Sequence, residues 1–136
     1  MADAAPQPNY YELMGSEIID FDPVSETVTM RFVAPDCFIT GRGGVQGGLV
    51  AGFLDEVMGR AHVHATKGAE APLNLDISMS LLKLVPPGPM LAKGRVLRRG
   101  KRAIFLEGEL YDPSGAVVYA RATSTAIPTP VPPQVA

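Results

Sequence analysis

A single cysteine, Cys37, in 136 residues excludes an internal disulfide framework and any zinc site built from several thiolates. Its isolation fits a reducing cytoplasm or indifference to redox state, and it reads as a packing residue rather than a nucleophile. Histidine is nearly as scarce: His62 and His64 are two apart on one helix pattern, point away from each other and have no third ligand nearby, so no metal site is expected. Charge of either sign is in short supply overall. The formal net charge of −2 and pI of about 5.6 give no global case for nucleic acid or an anionic membrane. No apolar stretch approaches the length that spans a bilayer, and the N-terminal MADAAPQPNYY lacks the basic start and apolar run of a signal peptide. These absences lead to the expectation of a cytoplasmic protein with no membrane or nucleic-acid partner. The length fits one domain with a core of its own.

What the chain does have is glycine in one dense stretch, GRGGVQGGLVAGFLDEVMG, from Gly41 to Gly59. Val50, Phe53, Leu54, Val57, Met58 and Ala61 recur at three- and four-residue spacing, the mark of a helix with one buried face. Gly48, Gly52, Asp55 and Gly59 fall on the opposite side, although each interior glycine costs a helix about 1 kcal/mol relative to alanine. Something must therefore come close to that face. Tight packing against a sheet or second subunit is one reading, and a ligand reaching the backbone beside a carboxylate is the other.

In chain order, Asn9 caps a short helix that Gly15 stops. Glu17 to Asp22 and Thr27 to Ala34 read as a hairpin, followed by a loop and a long helix from about Gln46 to Thr66 that ends near Gly68. Leu73, Leu75, Ile77, Met79 and Leu81 then alternate with Asn74, Asp76, Ser78 and Ser80, predicting a strand with one buried face. Met90 to Leu97, Ala103 to Tyr111 and Val117 to Ile127 are three more strands, and short connections predict antiparallel neighbours. The expected architecture is α+β: residues 1–8 a flexible arm, 9–127 one domain whose antiparallel sheet wraps around a central helix, and 128–136 a loose proline-rich tail. Unpaired sheet edges call for a homodimer.

Three phrases in this order carry a resemblance: Gln46-Gly47-Gly48 followed by Asp55, the run from Ser80 to Gly88 (SLLKLVPPG), and the run from Gly94 to Arg102 (GRVLRRGKR). From about Gly15 to Thr125 the chain resembles the hotdog-fold acyl-CoA thioesterases, in the branch of the phenylacetate-degradation thioesterases. The resemblance implies hydrolysis of an acyl-CoA with no cofactor beyond the coenzyme A of the substrate, in a homodimer that many relatives pair into tetramers. It also implies that Asp55 is the catalytic acid group and that the Gly47 N–H holds the thioester carbonyl, with each site built from the Asp55 of one chain and the Gly47 of the other. Two positions depart from the pattern: the branch's histidine is Gln46 here, and an asparagine or glutamine six residues earlier falls on Thr40.

The residues themselves support this chemistry. Thioester hydrolysis needs an activated water or a nucleophile, and donors for charge developing on the carbonyl oxygen. Gly47 and Gly48 begin the helix, where N–H groups are unpaired and no side chain blocks approach. Asp55 lies eight residues on, about 12 Å along the axis, too far to serve the same carbonyl within one subunit. An alternative for Asp55 is a helix-surface carboxylate paired with Arg60 or with a base of the partner chain. Gln46, Gly48, Thr40, Asn74 and, in a secondary role, Glu56 are candidate substrate contacts. Arg98, Arg99, Gly100, Lys101 and Arg102 form a basic turn suited to the phosphates of coenzyme A, or else a solvated hairpin turn. A non-hydrolytic acyl-CoA or acyl-carrier-protein binder is the competing function. Hotdog dehydratases fit poorly, since no Asp and His stand about five residues apart before or within the central helix.

Overall fold

The structure is a computed structural model that describes residues 8–132. Asn9 Oδ1 accepts the Glu12 N–H at 2.9 Å and starts α1 (Tyr10–Leu13), and Gly15, at φ +61°, ends it as expected. β1 (Glu17–Asp22) and β2 (Thr27–Ala34) form the predicted hairpin, its turn held by Asp22 Oδ1 on the Val24 N–H. A 3-10 turn at Asp36–Phe38 leads to α2 (Gly47–Ala65), followed by β3 (Glu70–Leu81), β4 (Gly88–Arg99), β5 (Ile104–Tyr111) and β6 (Val118–Pro130). The strands make one antiparallel sheet in the order β1-β2-β4-β5-β6-β3. One face of that sheet wraps α2, burying Val50, Phe53, Leu54, Val57, Met58 and Ala61 completely, the apolar face read from the sequence.

Glycines decide how closely the helix lies. Gly94 and Gly108 are paired across β4 and β5, and a Cβ on Gly94 would fall 2.1 Å from the Val57 carbonyl oxygen. The helix backbone crosses the sheet there, and only a residue without a side chain admits it.

Four expectations need correction. β3 and β4 are not neighbours: β3 lies at the sheet edge beyond β6. The Leu82–Pro87 connector must cross three strand spacings, about 14 Å, which six extended residues can span. It is pinned on the way by the Leu82 and Lys83 N–H groups on the Tyr119 carbonyl.

The single buried face of β3 is also wrong. A bulge between Asn74 and Asp76 shifts the pleat, so Ile77 and Met79 pack on the core whereas Leu73, Leu75 and Leu81 are exposed and Asn74 turns toward the helix. Pro128 to Pro130 are not part of a loose tail, because β6 continues through them against Glu70, Ala71 and Pro72. Val131 N–H donates to the Ala69 carbonyl, so the odd-numbered amides face β3. The two prolines lack amides on the side where β5 has already ended. Residues 1–7 and 133–136 of the proposed arm and tail lie outside the described residues. Finally, Cys37 is exposed, because the 3-10 turn sends Phe38 rather than Cys37 inward, to 5.9 Å from the Phe53 ring.

Candidate active site

Gln46 is the N-cap of α2: its Oε1 accepts the Leu49 N–H at 2.9 Å, and its extended backbone, φ −58° and ψ 136°, opens the helix. The amide lies so close over Gly48 that a Cβ there would be 2.9 Å from Oε1. Gly47 and Gly48 thus occupy the first two helical positions, ahead of the first intrahelical bond, with no acceptor for their N–H groups among the described residues. Leu81 borders Gly47, and its Cδ1 would be 3.6 Å from a Cβ at that position. Thr40 serves the preceding loop instead of the site: its Oγ1 donates to the Gly44 carbonyl at 3.2 Å and accepts the Arg42 N–H at 3.3 Å.

Two turns along, Asp55 faces away from the core and accepts a hydrogen bond from Asn74 Nδ2 on β3. This contact exists because of the bulge, which turns Asn74 inward. Ser124, buried on β6, stands 3.1 Å from Asn74 Oδ1 and 2.8 Å from the Asp76 carbonyl, so its hydroxyl proton serves one of them at a time. A carboxylate only accepts, which fixes the Asn74 amide with nitrogen toward Asp55 and oxygen toward Ser124. Burial raises the pKa of Asp55 above the usual carboxylate value; the Asn74 hydrogen bond pulls it down and the nearby charge of Glu56 adds to the rise. Asp55 is not paired with Arg60. That residue binds Glu56, at 2.6 Å from Nε to Oε2, and lies over the Tyr11 ring with its guanidinium carbon 4.7 Å from the centroid.

The basic turn divides. Arg99, exposed like its neighbours, is engaged at the base of the turn, holding Glu26 with both terminal nitrogens at 2.9 and 2.8 Å and donating from Nε to His62 Nδ1 at 3.3 Å. These contacts occupy the guanidinium that the sequence reading offers to a phosphate. Gly100 closes the turn through its N–H on the Ala103 carbonyl at 2.8 Å. Arg98, Lys101 and Arg102 are exposed. His62 is fully buried and donates from Nε2 to Glu70 Oε1 at 3.1 Å, so both its nitrogens are used in tying the end of α2 to β3 and β4. Nothing in the one-dimensional pattern links His62, Glu26, Glu70 and Arg99, and sequence reading missed this cluster. It also missed Ser124, whose position behind Asn74 depends on strand register.

The fold is the hotdog fold of the thioesterase superfamily, in agreement with the resemblance carried by the sequence. A phenylacetic acid degradation-related protein of Ralstonia eutropha superposes with a TM-score of 0.81 at 27% identity, over 90% of this chain and 92% of that one. Zebra fish thioesterase superfamily member 2 gives 0.76 at 18% identity, over 89% and 87%. A thioesterase-type protein from Streptococcus pneumoniae, solved with coenzyme A, gives 0.73 at 19% identity, over 85% and 89%. No family model matches the chain, and no curated protein matches it in sequence.

Proposed function

We propose that this protein is an acyl-CoA thioesterase whose sites form across a homodimer. The observation that carries the reading is Asp55: a carboxylate on the glycine-lined side of α2, oriented by Asn74 and open to a cleft, on the same helix whose first N–H groups are unpaired. About 12 Å separates those two features along the helix, so a thioester meets Asp55 of one chain and the partner's Gly47. β3 offers an edge for such pairing, since it has no second strand neighbour among the described residues and exposes Leu73, Leu75 and Leu81.

In the general-base route Asp55 takes a proton from water, and the resulting hydroxide attacks the thioester carbon. Negative charge develops on the carbonyl oxygen at the partner's Gly47 N–H, the C–S bond breaks, and the sulfur leaves with the proton from Asp55. Direct attack by Asp55, giving an anhydride that water then opens, uses the same two groups. Arg98, Lys101 and Arg102 are the cations left to meet the coenzyme A phosphates, while Gln46 offers its Nε2 hydrogens to the substrate. The coenzyme A held by the Streptococcus pneumoniae protein, on the same fold, is consistent with that ligand.

One observation favours a second reading, a non-hydrolytic binder: the residue in place of the branch's histidine is tied up as a helix cap. Hydrolysis of short, long and aryl acyl-CoAs, followed by free-thiol release, separates the two. The enzyme reading expects turnover by the wild type and a loss of about two orders of magnitude or more in Asp55→Asn, with coenzyme A binding kept. Binding of the panel without any turnover establishes the binder instead.

A further inference from the structure

We propose that Gly59 sets the size of the acyl group this protein accepts, and that the group is uncharged at its far end; this rests on the thioesterase reading above. A cleft of about 350 Å³ opens beside Asp55 and runs between α2 and the start of β3, with Gly59 and Val63 on the helix side and Ala71 and Pro72 opposite. Gly59 is one helical turn beyond Asp55 and Val63 one turn further, so the three form a row on one face.

The glycine is not required by the fold. Its backbone is not in the left-handed region, and a Cβ built on it meets nothing nearer than Pro72 Cγ at 3.6 Å, an ordinary contact. Gly94 and Gly108 differ, because there the core itself forbids a side chain. What a side chain at position 59 would occupy is the cleft. An acyl group bonded at a carbonyl beside Asp55 and longer than acetyl would enter that space, where Val63, Ala71 and Pro72 are apolar and Tyr10 lies beside the Glu56–Arg60 pair.

Charge selects among acyl groups as well as size. Glu56 and Arg60 border the cleft as a closed pair, so Asp55 leaves the lining with a net negative charge. A carboxylate at the far end of the acyl group would face two carboxylates and one guanidinium that is already engaged. Neutral straight-chain or aryl-acyl groups are therefore preferred over ω-carboxyacyl groups of equal length.

The test is kcat/KM for acetyl-, hexanoyl-, phenylacetyl- and glutaryl-CoA with the wild type, Gly59→Ala and Gly59→Leu, together with thermal midpoints and Kd for the same four esters. The wild type should prefer hexanoyl and phenylacetyl over acetyl and over glutaryl. In Gly59→Leu the hexanoyl-to-acetyl ratio should fall about ten-fold or more, the scale of one misfitting methylene in an apolar pocket. Gly59→Ala should fold with a raised midpoint and a smaller shift in the same direction. A uniform loss across the series, or an unchanged ratio in Gly59→Leu, overturns the role of Gly59. A wild type that turns over none of the four overturns the thioesterase reading alone, and the ranking of Kd values by size then decides the matter for Gly59.

Discussion

Asp55 sits where a carboxylate is partly removed from water yet keeps one hydrogen-bond donor and an open side. Burial dominates, so its folded pKa lies above the unfolded value of about 3.9. The folded state then holds its proton more tightly, and stability contributed by this group is present below the unfolded pKa and lost as pH rises through the folded one. Asp55→Asn should consequently keep or raise the thermal midpoint at pH 7 while turnover collapses, the pattern of a residue kept for function at a cost in stability. A clear fall in midpoint would mark Asp55 as structural. Asn74→Ala removes the donor that lowers the Asp55 pKa, and the acidic limb of the pH–kcat/KM profile should move to higher pH. An unmoved limb would mean that Asn74 does not act through Asp55. Asp55 was legible in the sequence because the helix period turns it away from the apolar face. Its partnership with Asn74 was not, since it depends on a bulge that places Leu75 and Asp76 opposite one stretch of β6.

At the scale of elements, α2 is fixed to the sheet at two points that fail in different ways. At the first, Gly94→Ala drives a methyl into the Val57 carbonyl, a backbone contact that cannot rotate aside. It should lower stability by about 1–3 kcal/mol or more, read as a drop in the urea midpoint, and an unchanged midpoint would show that the helix rides higher than described. At the second, His62 is held neutral between Glu70 and Arg99. Burial chiefly depresses its pKa, with the charge of Arg99 acting the same way and Glu70 and Glu26 opposing. Its stabilisation is present above the unfolded pKa of about 6.5 and is lost as pH falls through the lower folded value. The wild type should lose urea resistance between pH 8 and pH 5.5, and His62→Gln should lose less over the same interval. Equal losses would place the sensitive group elsewhere. The elements were easier to read than their neighbours: the strands and the α2 limits followed from period and caps, whereas the β3-to-β4 crossing did not. A six-residue connector rich in proline looks the same whether it turns a hairpin or crosses a sheet.

Among the described residues the sheet of the whole molecule has two edges, and β3 is the long one, with leucines exposed along it. The dimer invoked for the mechanism would cover that edge, and light scattering should find no stable monomer at micromolar concentration; an active monomer would remove both the assembly and the shared site. In the proposed site Asp55 and Gly47 come from different chains, which complementation can reveal. Gly47→Pro deletes the N–H yet suits the first helical position, and the extended backbone of Gln46 is already what a following proline requires. Neither Asp55→Asn nor Gly47→Pro should turn over acyl-CoA appreciably alone. Mixed in equal amounts and allowed to exchange subunits, half of the dimers become hybrids with one intact site of two, and activity should return to about one quarter of the wild-type value. Mixed samples that stay as inactive as the separate variants, with hybrid formation verified by mass, would contradict the shared site.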